Sequence, residues 1–443
     1  MRKKRVLHVI TSTGVGGAEN MLYKYLSYSD KEVIDHSVIS LKDLDHFGGK
    51  IKDLDIPIHG LSKPIYTLRG IKEFYKTSKE FNPDILQSWL YHSDLACLIL
   101  NIFLKIKLCW NIRSYKVYKF QKITGALVRF LAIFSKVPDV IIINSLASKD
   151  YHHRILYRPK RWEHVPNGFD LSFNKDKLDL VIDIRSELNI PPESLIIGMI
   201  ARYSKDKDHK TFLKACSLIN KELPNVHFVM IGNQIDRFNL KLVNISDQLK
   251  ISNQVHMLGT RNDIPQVMSN FDIVCSSSID EAFPNTIGEA MAASVPCVVT
   301  DVGDCALLVG DTGRVVESKS PVPLSKECLN LLRMPNHERL NLGKEARNRI
   351  AKHFSIKNIT KKYDEIIPEP KVIDGSRLDF LLKSKGEKSC YIEVKSSTLS
   401  RIPNISEFPD SVTSRGSKHL SLLTNLKNNG FRAIQIYLIQ RND

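Results

Sequence analysis

The sequence predicts two doubly wound α/β domains in tandem, with a smaller α/β segment after them. Three observations carry this. Short apolar runs suited to buried parallel strands alternate with helix-like stretches from Val6 to about Ile367. A glycine turn, Gly14-Val-Gly-Gly17, follows the first run and lets backbone approach a ligand with no Cβ in the way. A length of 443 residues is long for one core and comfortable for two or three.

In chain order, Val6 to Ile10 is the first strand, and a helix opens at Ala18. Further strands are expected near Asp35–Leu41, Ile56–Gly60, Ile85–Ser88 and Val140–Asn144, with helices between them. His92 follows the strand at Ile85 and so lies at its carboxyl end, the rim where open α/β sheets bind ligands. The turn Val165-Pro-Asn-Gly-Phe-Asp170, and the polar stretch to Pro191-Pro192, read as a linker.

The second domain begins with the strand Leu195–Ile200. Arg202 follows at its end, Lys207 lies five residues on, and Asp208-His209 opens a helix. Two cations placed so can clamp a diphosphate, Arg through paired bonds and Lys as a mobile point charge. Lys205 is a nearby competitor for the second role. Strands at Val226–Ile231 and from Val255 precede Arg261 and the loop Asp263-Ile-Pro265. The strand Phe271–Cys275, a loop, a helix over Asn285–Ala293, the strand Pro296–Thr300 and the turn Val302-Gly303-Asp304 then form the stretch on which the rest is organised. Glu281 in the loop and Glu289 in the helix have seven residues between them. Carboxylates accept pairs of sugar or ribose hydroxyls. The amides at the helix start (Asn285, Thr286, Ile287) and the positive dipole end suit a diphosphate.

The 42% hydrophobic and 25% charged content is that of a globular protein. Eight cysteines are scattered through apolar settings with no C-x-x-C pair, the pattern of reduced thiols in a cytoplasmic protein. Met1-Arg-Lys-Lys-Arg5 imitates a signal-peptide leader, but the apolar run behind it is too short. No stretch suits a membrane span; Leu95–Leu108 comes nearest and is interrupted by Asn101, Lys105 and Lys107. The net charge of +16 calls for an anionic partner. Residues 113–136 interleave Arg113, Lys116, Lys119, Lys122, Arg129 and Lys136 with aromatic side chains. They read either as a surface for peripheral membrane contact or as an ordinary helix face.

The string E-A-F-P-N-T-I-G-E-A-M-A, continued by P-C-V-V-T-D-V-G-D, resembles the donor-sugar motif of retaining glycosyltransferases of family 4. Their architecture, GT-B, is two Rossmann-like domains with a central cleft. The resemblance covers about residues 5–367. It implies domains at 1–170, on the acceptor side, and 171–367, which binds the nucleotide-sugar and ends in a helix crossing back. It further implies that Arg202 and Lys207 neutralise the leaving diphosphate, that Glu281 holds the transferred sugar and Glu289 the ribose. His92, within a matching W-x-Y-H-x-D-L, would touch the sugar from across the cleft. Gly16, Gly17 and Glu19 match the cleft-lining first turn, and Arg261, Phe283, Pro284, Asn285, Thr286 and Ile287 join the donor-binding set. His152 and His153 read mostly as structural. No cofactor or metal is expected for the transfer; the nucleotide-sugar is a co-substrate. A glycan or lipid-linked acceptor for a surface polysaccharide follows from the family. The sugar, the base and the oligomeric state are left open. The chain departs from the family at Ser294, where Gly is usual, and at Ile279-Asp280.

Beyond Pro370 the pattern changes. Ser376–Leu382 and Cys390–Lys395 read as a hairpin, Arg415–Lys427 as a basic helix and Ala433–Ile439 as a strand. Asp379, Glu393 and Lys395 form D-x13-E-x-K, in which two carboxylates on adjacent strands can share a divalent metal. Residues 371–443 resemble a central part of the sugar fermentation stimulation protein A family, an α/β fragment like a PD-(D/E)xK nuclease core. DNA becomes a partner only if this segment is active. The competing readings are thus a metal-dependent nucleic-acid enzyme built on the tail, and a sugar-nucleotide binder that has lost turnover.

Overall fold

The computed structural model describes residues 2–115, 122–172 and 183–366, and in the tail 380–382, 390–397, 399–402, 405–407, 421, 423–425, 427–428 and 431–439. The chain divides into two compact units, Met1–Ile366 and Ile367–Asp443.

The first unit contains two parallel sheets. One is built from β1 (Lys4–Ile10), β2 (Ile34–Ser40), β3 (Ile58–Gly60), β4 (Ile85–Trp89), β5 (Lys107–Ile112), β6 (Val140–Ile143) and β7 (Trp162–His164), in the order β3-β2-β1-β4-β5-β6-β7. The other uses β8 (Leu195–Ile200), β9 (Val226–Ile231), β10 (Val255–Met257), β11 (Ile273–Ser276), β12 (Cys297–Thr300) and β13 (Arg314–Val316), in the order β10-β9-β8-β11-β12-β13. Both reverse direction beside their first strand, which makes the carboxyl ends of β1/β4 and β8/β11 the two ligand-binding crevices. Near-continuous Val, Ile and Leu in β1, β8, β9 and β12 follow from burial on both faces.

β5, β7 and β13 were not expected from the sequence. Leu95–Leu108, the stretch nearest to a membrane span, is in fact the end of a helix (Tyr91–Leu104) and the start of β5. They meet at Lys105, whose φ of 50° ends the helix. Among the described residues no helix is long and apolar enough to cross a membrane.

The linker Pro166–Asp170 runs beside residues 354–356: Phe169 N donates to Phe354 O at 2.9 Å, and Ile356 N to Phe169 O at 2.8 Å. Gly168 is required there, because a Cβ would lie 2.8 Å from Ile356 Cα. Residues 173–182, the rest of the linker, lie outside the described residues. The helix Ile356–Ile366 returns to the first sheet and buries Ile356, Ile359 and Tyr363 in its core. The Tyr363 ring stacks 5.9 Å from Trp89, and its hydroxyl accepts from Asn111 Nδ2 (3.2 Å) and Arg113 Nη1 (2.7 Å).

This overturns one expectation. Arg113 is not part of a basic surface; its guanidinium is bound inside the molecule by Tyr363, Val165 O and Asn167. Burial drives this, since a buried guanidinium must satisfy its donors internally. Residues 116–121, with Lys116 and Lys119, lie outside the described residues, whereas Lys122, Arg129 and Lys136 are exposed.

Ser294, the departure from the family, adopts φ 63° just past the helix Asn285–Ala292, and Val295 N closes the turn on Ala290 O at 3.0 Å. A side chain in this left-handed position costs energy that glycine avoids, offset in part by glycine's larger unfolded-state entropy. Ser294→Gly is therefore expected to raise stability by about 0.5–1 kcal/mol in denaturant melts. Equal or lower stability would mean the hydroxyl contributes a contact that outweighs the strain.

In the second unit, β14 (Phe380–Leu382), β15 (Cys390–Ser397) and β18 (Arg432–Ile439) form a sheet. β14–β15 is antiparallel, as the expected hairpin requires, and β15–β18 is parallel. A separate pair, β16 (Leu399–Ile402) with β17 (Ile405–Glu407), was not foreseen. Of the expected basic helix, Arg415 to Leu420 lie outside the described residues.

Candidate active site

At the crevice of the second sheet, two loops are stitched together. The loop after β8 carries Arg202 and a short turn over Lys205–Lys207, and the loop after β11 carries Ser277 to Pro284. Ile279 N donates to Asp206 O at 2.8 Å, while Ser277 Oγ donates to the carbonyls of Lys207 (2.9 Å) and Asp208 (3.0 Å). The result brings Lys207 Nζ, rather than Lys205, onto Glu281 Oε1, which also accepts from Ser278 Oγ at 2.9 Å. Both partners are largely covered, with side chains 19% and 14% exposed. Arg202 stands outside this pair, 67% exposed, with Nη2 3.5 Å from Asp206 Oδ2. An ammonium and a guanidinium therefore sit beside the loop that holds Glu281, each already turned toward a carboxylate.

The helix Asn285–Ala292 begins at Pro284 with no side-chain cap, so its first amides lack intrahelical acceptors. Phe283, Pro284 and Ile287 are buried. The Phe283 ring packs between Phe169 (6.1 Å) and Phe354 (5.8 Å), so these residues can serve a ligand only through their backbone. Asn285 Oδ1 accepts from Asn167 Nδ2, and Asn167 in turn accepts from Arg113. Glu289, with its side chain 35% exposed, lies 3.8 Å from Lys24 Nζ of the facing domain. Burial raises the Glu289 pKa, and Lys24 opposes the rise.

On the first-domain side, Glu19 folds back over Gly16, its Oε2 2.2 Å from where a Cβ would stand. Gly17 faces the other domain, with Asn285 Nδ2 3.4 Å from where its Cβ would stand. His92 is exposed in the first turn of the helix after β4; partial burial, and then Lys42, lower its pKa. The turn into that helix is strained, since Leu90 adopts φ 72° and ψ 158°, a region that is essentially glycine's. Beneath His92, Ser93 Oγ lies 3.2 Å from Thr11 Oγ1, which ties the helix start to the end of β1. Asp94 is fully buried and accepts from Ser88 Oγ at 2.5 Å; burial pushes its carboxyl up to about 8. His152 is structural: its Nε2 meets Tyr91 OH at 2.9 Å, its Nδ1 meets Ser148 O at 2.7 Å, and burial lowers it to about 4. His153 contacts Arg158 on the surface.

Arg261 is held by Asp263 through Nε (2.9 Å) and Nη2 (2.6 Å) and by Glu187. In the tail, Glu393 and Lys395 lie two positions apart on β15, opposite Gln435 and Tyr437 of β18, and Asp379 is outside the described residues. Sequence reasoning missed Lys24 and Asp304 as cleft residues. No motif marks Lys24, whereas Asp304 lay in a matched stretch and was read only as a turn.

Comparison with known proteins decides the chemistry. Residues 15–173 match the family described as Glycosyltransferase Family 4, and residues 181–349 the family Glycosyl transferases group 1. Residues 15–349 are a glycosyltransferase. A Bacillus subtilis protein bearing the glycosyltransferase name EpsF is 22% identical over 309 residues, covering 68% of this chain and 79% of its own. The glycosyltransferase fold agrees with that of Anabaena HepE, solved with UDP and glucose: TM-score 0.71 at 20% identity, over 82% of this chain and 99% of that one. The GT-B architecture is thereby shown. Residues 345–443 match the sugar fermentation stimulation protein RE domain, starting earlier than the expected 371 and overlapping the end of the glycosyltransferase. A sugar fermentation stimulation protein homolog of Ruegeria pomeroyi is 52% identical over 81 residues, 18% of this chain. The chain spans 35% of that relative's length, about a third.

Proposed function

We propose that this glycosyltransferase takes a sugar from a nucleoside-diphosphate donor and transfers it with retention to a glycan or lipid-linked acceptor. The observation that carries the reading is the Lys207–Glu281 pair at the β8/β11 crevice, beside the uncapped start of the helix holding Glu289. A donor entering there would exchange partners: Lys207 and Arg202 turn from carboxylates to the diphosphate, and Glu281 turns to the sugar hydroxyls. As the glycosidic bond breaks, negative charge grows on the leaving phosphate, where two cations and the helix amides can stabilise it. Glu289 would take the ribose hydroxyls in place of Lys24. His92 would face the sugar from the other domain, and the departing phosphate would accept the acceptor's proton.

UDP bound to the structurally similar HepE supports beginning with UDP-sugars. The test is donor turnover in EDTA with UDP-, GDP- and ADP-sugars, on the wild type and Glu281→Ala. Nucleoside diphosphate released from one donor, and lost in the variant, is the expected result. No release with any donor, even with membrane extract as acceptor, would sink the reading in favour of a binder without turnover. The 52% identity of the tail to a sugar fermentation stimulation protein homolog favours a second activity there. Manganese-dependent DNA cleavage, abolished by Glu393→Ala, would establish it.

The acceptor side also carries exposed apolar side chains suited to peripheral membrane contact, overlapping the 113–136 stretch read in the sequence. Leu68, Ile102, Phe103, Ile123 and Ile133 are exposed on the helices Leu68–Phe81, Tyr91–Leu104 and Lys122–Ile133. Exposed Lys72, Lys76, Arg129 and Lys136 accompany them. Exposed apolar side chains accompanied by cations fit an anionic bilayer, each cation adding about 1 kcal/mol near the surface. The protein is expected to float with phosphatidylglycerol vesicles at low salt and not with phosphatidylcholine, and Phe103→Asp should weaken it. Absence from anionic vesicles would remove this part of the proposal.

A further inference from the structure

Asp304 stands where the two domains of the glycosyltransferase meet, and its two ends face different partners. Its amide donates to Ala282 O at 3.1 Å. Gly303 before it, at φ 56°, lies so close to the donor loop that a Cβ would come 2.1 Å from Glu281 O. Its carboxylate, only 3% exposed, leaves its own domain. Oδ1 accepts from Ser145 Oγ at 2.8 Å and Ala147 N at 3.2 Å, and Oδ2 from Leu146 N at 2.9 Å. These amides begin the helix Leu146–Arg154 of the first domain, so a carboxylate from one domain caps a helix of the other. His164, closing β7, stands 3.7 Å from Oδ2.

Two other contacts across the cleft differ in kind. Lys24 meets Glu289, and Asn167 meets Asn285, so both use groups that a bound donor would compete for. Asp304 uses its carboxylate on the first domain alone and reaches the donor loop only through backbone. It can therefore stay engaged while the donor comes and goes.

We propose that Asp304 is a positioning residue that ties the loop holding Glu281 to the first domain and so sets the two halves of the cleft at reacting distance. This rests on the donor reading of Glu281 given above. Transfer requires the donor, carried by the second domain, to meet an acceptor on the first. A misplacement of about 1 Å between such groups costs about 100-fold in rate.

The experiment compares Asp304→Asn, Asp304→Ala and Ser145→Ala in the full chain. Three quantities are read: kcat, the dissociation constant of UDP by calorimetry, and the radius of gyration by X-ray scattering without ligand. Asp304→Ala is expected to lower kcat by about 30- to 100-fold while UDP binding changes by less than about threefold, and to enlarge the radius. Asp304→Asn keeps an acceptor oxygen and should lose less than about tenfold. Ser145→Ala, lying outside the donor loop, should shift kcat and radius in the same direction by less. Unchanged kcat and radius in Asp304→Ala would overturn the proposal. So would a loss of UDP affinity equal to the loss of kcat, which would make the residue only a prop of the donor loop. If the wild type binds none of UDP, GDP and ADP, the donor reading fails by itself. The scattering comparison still decides whether Asp304 holds the domains together.

Discussion

Lys207→Ala is expected to lower turnover by about 100- to 1000-fold, the effect of deleting one preorganised donor aimed at developing charge. Lys207 is largely covered and has Glu281 as its partner, so its ammonium acts in a setting where water screens little. The rate should fall more than donor affinity, because the contact tightens as the diphosphate gains charge. The substitution also strands the covered Glu281 carboxylate. Adding Glu281→Gln should therefore recover stability in denaturant melts, while turnover stays lost because Glu281 itself holds the sugar. Lys207→Arg keeps the charge but replaces a point cation with a planar fork and should recover only part. Arg202, exposed and paired at 3.5 Å, should matter less in the same assay. A loss of under about tenfold in Lys207→Ala would move the burden to Arg202 and the helix amides.

Gly288→Ala tests a different joint. Helix propensity alone predicts a gain of about 1 kcal/mol for this change. The structure predicts the reverse, because a Cβ at residue 288 would lie 2.0 Å from Cζ of Phe169 and 2.4 Å from both Cε atoms. Phe169 is 1% exposed and stacked on Phe283, so it has little room to retreat. Overpacking of this kind costs about 1–3 kcal/mol, which offsets or outweighs the helical gain, and the melting temperature should fall by about 2 °C. Donor affinity should fall too, since the helix start would be pushed from Asn167. Phe169→Leu in the same chain should relieve both. A variant that melts at or above the wild type would show that the linker yields instead.

The strands that built the two sheets were legible where burial on both faces makes apolar runs, as in Val6–Ile10 and Leu195–Ile200. β5 escaped because Lys107, Asn111 and the adjoining apolar helix blur its edges, although Trp110 and Asn111 are fully buried. The meeting of Lys207 with Glu281 could be anticipated from their motifs, since each follows a strand at the same crevice. Lys24 with Glu289 and Asp304 with Ser145 could not, because no local pattern links residues so far apart. Arg113 misled for a related reason: a cation reads as surface until its buried acceptors, Asn167 and the Tyr363 hydroxyl, are known.

The returning helix Ile356–Ile366 carries a consequence for how the chain is made. Tyr25 OH donates to Asp364 Oδ1 at 2.9 Å across a separation of 339 residues. Tyr363 also fills a seat between Trp89 and Tyr25. The half synthesised first thus receives its last core residues only after nearly all of the second half has left the ribosome. Until then Trp89 and Tyr25 present an open apolar seat, and the second half can fold while the first waits. Contacts of such range slow folding and prolong that exposure. A fragment cut before Ile356 would keep the waiting state permanently, so the two halves are successive stages of one folding unit and not separable modules.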